Sequence, residues 1–253
     1  MQKIIIGNLK MNLLSAKERE GYVKLFKKTL AKEDLGQTEI VLCPPTIQLE
    51  SFGRALGGKV KLGGQNCFWE DSGSYTGEIS PLMLKNFGCG YVICGHSERR
   101  QYLGETNQFI KQKVKAVLKN NLAPIICVGE TQEERKAGLT LQVITKQVKA
   151  VFSDLTQAKL DKIILAYEPV WSVGSDSVPN SNEIMEARLL IRKILIGMFE
   201  AKNAQKVRIV YGGSVSVKTV EETCLASGMD GALIGRESLA PREFIKICKI
   251  ING

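Results

Sequence analysis

The chain has a single histidine in 253 residues, and none of its seven cysteines is spaced as CxxC. Those shortages exclude the usual tetrahedral zinc sites, which draw on several His and Cys ligands. An odd number of scattered cysteines also excludes a complete disulfide framework. Cys94 in YVIC and Cys127 in PIICV sit inside apolar runs, where a free thiol behaves as a small hydrophobe. Buried, reduced thiols are the expectation. Nowhere do 18 apolar residues run together, and MQKIIIGNLK enters a strand-like run with no signal-type segment before it,. The reading is a soluble, unexported, cytoplasmic chain with no membrane partner.

A clustered basic patch is also missing. There are 35 basic and 26 acidic side chains, a formal net charge of +9, and a nucleic-acid binder would gather such an excess on one face. Here the cations come singly or in short pairs, Lys27 with Lys28 and Arg99 with Arg100, interleaved with acids on helix-like segments. Solvated helix faces account for them, and no nucleic-acid partner is expected. A positive field would still favour encounter with small anions.

What is present is a strict alternation. Short apolar, β-branched runs recur at Ile4–Ile6, Ile40–Cys43, Val60–Leu62, Tyr91–Cys94, Ile125–Val128, Ile163–Tyr167, Val207–Tyr211 and Ala232–Ile234. Most are continuous rather than alternating, the pattern of strands buried on both faces. Between many of them lie amphipathic Lys/Glu-rich stretches of helical period: Ala16–Lys32, Asn107–Asn120, Thr140–Asp154 and Glu183–Ala201,. Eight strand–helix units in about 250 residues predict a single-domain (β/α)8 barrel over residues 1–253. An open doubly wound sheet would carry GxGxxG after an early strand, and none follows the first strand here.

In such a barrel the reactive groups belong at the C-terminal ends of strands. Those ends carry Asn8 and Lys10, then His96, Ser97 and Glu98, then Glu130, then Glu168, then Gly212, Gly213 and Ser214, and last Gly235 and Arg236. The turns YGGSV and IGRESL offer backbone N–H groups uncrowded by Cβ atoms, and the second opens a short helix whose dipole favours an anion. A phosphate cradle is the expectation. A lone histidine is more often structural than catalytic. His96, before an expected N-cap at Ser97, could instead be held neutral by the helix N-terminus and donate to a carbonyl. Glu168, closing the apolar run LAY, reads either as a salt-bridged structural carboxylate or as a general base beside the Gly/Ser-rich segment 172–178. Lys10 is either a solvated lysine or the counter-charge of an anion site.

The segments GNLKMN (7–12), YTGEIS (75–80), GHSERR (95–100), AYEPVW (166–171), YGGSV (211–215) and DGALIG (230–235) resemble those of the triosephosphate isomerase family, in its order and spacing, from residue 3 to about 250. The resemblance implies a cofactor-free barrel isomerase of glycolysis and gluconeogenesis acting on a small phosphorylated triose. It would interconvert dihydroxyacetone phosphate and D-glyceraldehyde 3-phosphate through an enediolate. It implies Glu168 as base, His96 as neutral electrophile, Lys10 and Asn8 binding substrate and intermediate, and Glu98 supporting from behind. Gly174, Ser214, Gly235 and Arg236 would hold the phosphate. It also implies a homodimer in which Thr76, in the loop 73–80, reaches into the partner's site. Some positions depart from the family. Leu9 stands in place of Trp, Asp176 and Ser177 in place of Gly and Lys on the lid, and Arg236 in place of Gly. The Arg236 side chain is expected to face solvent. A ketol-isomerase for longer sugar phosphates shares the cradle without needing the Lys/His/Glu trio, and a silent binding barrel would lack one of the three.

Overall fold

The computed structural model describes residues 1–173 and 178–253. Eight strands close into one parallel barrel in chain order: β1 (Ile4–Asn8), β2 (Glu39–Cys43), β3 (Lys61–Gly64), β4 (Cys89–Cys94), β5 (Ala123–Val128), β6 (Ile164–Tyr167), β7 (Arg208–Tyr211) and β8 (Gly231–Ile234). Closure is the pairing of β1 with β8, Ile4 against Gly231 through Gly7 against Ile234. The main outer helices are α1 (Ala16–Leu30), α2 (Leu49–Leu56), α3 (Pro81–Asn86), α4 (Ser97–Leu103), α5 (Asn107–Lys119), α6 (Gln132–Lys136), α7 (Thr140–Phe152), α8 (Ser181–Met198), α9 (Ala201–Ala204) and α10 (Pro241–Asn252). Every expected strand exists, displaced by no more than two residues at an end.

The period of two along a strand divides the core into two shells. Ile4, Ile6, Val41, Cys43, Ile93, Cys127, Ala166 and Leu233 form one cluster, the barrel interior. Their neighbours Ile5, Leu42, Val92, Ile126 and Leu165 join the larger cluster beneath the helices. Both faces are therefore apolar, which is why the sequence runs are continuous. All seven cysteines are buried and unbridged. No helix among the described residues is long and apolar enough to cross a membrane.

The N-terminal end of the barrel is closed by a polar plug. Arg208, opening β7, meets Glu39, opening β2, at 2.7 Å, and the Tyr91 hydroxyl from β4 donates to the other Glu39 oxygen. Burial, chiefly, and the neighbouring Glu39 carboxylate push the Tyr91 phenol up to about 12. This end is structural. The opposite end is open.

Candidate active site

One cavity of about 390 Å³ opens at the C-terminal ends of the strands and is lined by Asn8, Lys10, His96, Glu168, Gly212, Gly213, Ser214, Gly235 and Arg236. Residues up to 228 positions apart thus meet at one rim. Glu98 stands behind it. Its Oε1 takes the Lys10 ammonium at 2.5 Å, and its Oε2 lies 3.6 Å from His96 Nδ1.

His96 rather than Ser97 is the N-cap of α4, a correction to the sequence expectation. Its backbone is extended (φ −51°, ψ 143°), and Nδ1 accepts the Glu98 backbone N–H at 3.3 Å. A ring nitrogen that accepts from an amide carries no proton, so the neutral ring bears its proton on Nε2. That Nε2 lies 3.4 Å from Glu168 Oε1 and can donate into the cavity.

Glu168 follows β6 and is 2% exposed. Its amide donates to Val128 O at 2.8 Å, and its Oε2 accepts the Ser97 N–H at 3.1 Å. Among the described residues Oε1 has no hydrogen-bond partner. The backbone beneath it is set by Gly129, where a Cβ would sit 1.8 Å from the Glu168 carbonyl oxygen. No other residue tolerates that approach.

Lys10 adopts φ 51°, unusual for a residue with a side chain,. It is held by its own N–H on Asn8 Oδ1 at 3.0 Å, and by Gln65 Nε2, which donates to its carbonyl at 2.9 Å and to Cys43 O at 2.8 Å. A Cβ on Gly235 would lie 3.1 Å from Lys10 Cε, so the ammonium stem passes beside the glycine turn after β8.

The Ser214 hydroxyl donates to Ser172 O at 2.7 Å, joining the turn after β7 to the segment after β6. Glu130, fully buried, accepts from the Tyr167 hydroxyl and from Trp171 Nε1 at 3.0 Å, with the Arg135 guanidinium 4.0 Å above the Trp171 ring. It braces the start of that segment and does not line the cavity. Arg236 is exposed at the rim, as expected, and Leu9 is fully buried. Thr76 is exposed and stands outside the cavity of the single chain. Gly174, Asp176 and Ser177 lie outside the described residues.

Sequence reasoning missed four contributors: the Ser97 amide, Gly129, Gln65 and Cys127. Cys127 lies beside Glu168, and burial with that neighbouring carboxylate pushes its thiol well up. The glycine after β5 was the one signal available; Gln65 lies past a four-residue strand and carries none. Among the described residues no group of three or more His, Cys, Asp or Glu side chains could hold a metal ion.

A buried carboxylate beside a neutral imidazole in a small cavity, with an ammonium and two glycine turns near them, can move a proton on a compact anion. The barrel that presents them is a proton-transferring isomerase. Known proteins narrow that class. The sequence model of the triosephosphate isomerase family matches residues 3–251. A triosephosphate isomerase of Dictyoglomus turgidum is 45% identical over 249 residues, 98% of this chain and 99% of its own. One of Clostridium tetani is 41% identical over 245 residues, 96% and 94% of the two chains. The chain belongs to the triosephosphate isomerase family.

Proposed function

We propose that the chain interconverts dihydroxyacetone phosphate and D-glyceraldehyde 3-phosphate in glycolysis and gluconeogenesis, with Glu168 as the base. The observation that carries this is the pairing of Glu168 Oε1 with His96 Nε2 at 3.4 Å inside a cavity that also holds Lys10. The Glu168 carboxylate takes a proton from the carbon beside the carbonyl, and the electron pair moves onto the carbonyl oxygen. His96 Nε2–H and the Lys10 ammonium stabilise the enediolate oxygen that forms, and Asn8 completes that polar wall. His96 Nε2 passes its proton to that oxygen and takes the one on the neighbouring hydroxyl, and return of the Glu168 proton to the adjacent carbon then gives the isomer with the carbonyl moved by one carbon. Glu98 fixes the Lys10 ammonium from behind.

The phosphate sits against the Ser214 turn and the Gly235–Arg236 backbone, where N–H groups and a short helix start face the anion. Gly174 would close over it. Because proton transfer needs only these side chains, no cofactor is called for. A homodimer, in which Thr76 reaches the partner's rim, and a cytoplasmic location complete the proposal.

A coupled assay with each triose phosphate, no metal or nucleotide added, tests it. Turnover in both directions supports it. Turnover of a five-carbon sugar phosphate in preference to the triose overturns it.

A further inference from the structure

The four-residue 3-10 turn Arg236–Leu239, which follows β8, is too short to hold its own place,. Something outside it must set its distance from β1. The inner side of the turn supplies it. Ser238 is fully buried and reaches two carbonyls, Gly235 O at 2.6 Å and Asn8 O at 3.0 Å from its hydroxyl. Its N–H also donates to Gly235 O at 3.0 Å. From behind, the buried Tyr22 hydroxyl of α1 donates to the Ser238 carbonyl at 2.8 Å. Tyr22 is itself wedged against Phe26 and Phe52, with ring centroids 6.0 and 5.9 Å away. Neither Tyr22 nor Ser238 lines the cavity.

Asn8 is where this clamp meets the chemistry. It ends β1, and its Oδ1 fixes the Lys10 amide at 3.0 Å, while the Lys10 stem passes beside Gly235. One hydroxyl therefore joins the segment that presents the ammonium to the turn that presents backbone N–H groups. Without it, two anion-binding elements from the first and last strands lose their fixed separation.

We infer that Ser238, backed by Tyr22, is a positioning residue that sets the spacing between Lys10 and the Gly235–Arg236 turn, and so the affinity for the phosphate group. The inference rests on the proposed placement of the phosphate at that turn. Glu168 and His96 follow β6 and β4 and make no hydrogen bond with Ser238, so the clamp leaves the base in place and acts through the Lys10 and glycine-turn side of the site.

The test measures steady-state kinetics and competitive inhibition by inorganic phosphate in S238A and Y22F. The expected result is a rise of about tenfold in both KM and phosphate Ki for S238A, of the order one hydrogen bond controls. Y22F, which keeps the ring and loses only the donor, is expected to show about a threefold rise. In both variants kcat falls by less than KM rises. A merely structural hydroxyl would lower the melting temperature and leave Ki untouched, and wild-type Ki in both variants overturns the inference. So does a fall in kcat at constant Ki. If S238A fails to fold, Y22F decides by the same criteria. If phosphate does not compete with substrate in the wild type, the placement of the phosphate fails instead.

Discussion

Glu168→Asp shortens the proposed base by one methylene and changes nothing else in the cavity wall. The carboxylate retracts by about 1.5 Å, one carbon–carbon bond. In the parent side chain Oε2 accepts the Ser97 amide at 3.1 Å and Oε1 stands 3.4 Å from His96 Nε2. Retraction takes Oε2 out of reach of the Ser97 amide and moves the carboxylate away from His96 Nε2 and from the substrate carbon by a similar amount. A misplacement of about 1 Å costs roughly 10²-fold in an oriented reaction, so 10²- to 10³-fold is expected here, or about 3–4 kcal/mol of barrier. The phosphate elements belong to β7 and β8, so inorganic phosphate should inhibit the variant as it does the parent. The assay is kcat in both directions beside phosphate Ki. A loss of less than tenfold in kcat refutes Glu168 as the base, and a parallel rise in Ki shows that the substitution disturbed the whole mouth.

Gly129→Ala places a methyl carbon 1.8 Å from the Glu168 carbonyl oxygen. It should cost at least about 10²-fold in kcat through displacement of the base, and retention of activity within threefold would show that this approach is dispensable. Glu39→Gln at the barrel floor leaves the Arg208 charge with a neutral partner and should cost about 3 kcal/mol. Thermal melting should drop by roughly 6–12 °C with kcat unchanged, since the plug lies at the end away from the chemistry; a large kcat loss refutes that separation. Burial pushes the Cys89 and Cys224 thiols up to about 12 and Cys43 and Cys248 upward as well. A raised native value favours the thiol, so this contribution to stability is whole below about pH 8.5, the unfolded value, and is lost as pH climbs toward 12. The urea midpoint should fall between pH 8.5 and 11, and a thiol reagent at pH 8 should label the seven cysteines only after unfolding. Rapid labelling of the native chain would refute the burial argument.

The barrel was legible because a strand buried on both sides must be apolar at every position. Ile4, Ile5 and Ile6 alternate between the interior and the helix layer, yet all three read as core. The rim was legible where a strand ended in a residue type with chemistry, as at Lys10, His96 and Glu168. It failed where the contribution is backbone. The Ser97 amide that holds Glu168 is invisible in residue type, and His96 displaced Ser97 as the cap because its ring nitrogen reaches the Glu98 amide. Ser238 was equally silent, because a serine in a turn reads as solvent-exposed until burial shows two carbonyls around it.

The carboxylates packed into the barrel separate scaffold from chemistry. Glu39 has Tyr91 on one oxygen and Arg208 on the other, and Glu130 is filled by Tyr167 and Trp171. Glu105 leaves Oε2 unpartnered, but its other oxygen is shared by Arg99 and Lys113, so its charge is more than balanced. Glu168 differs from all three, because among the described residues Oε1 is buried without a hydrogen-bond partner while Oε2 holds the Ser97 amide. A buried acceptor left without a partner costs about 1–3 kcal/mol, more when charged, and selection for stability alone would have filled it. The unfilled oxygen is the one beside His96 Nε2 in the cavity, where a substrate proton would supply what the fold withholds. Leaving that valence open keeps an acceptor free for the substrate proton.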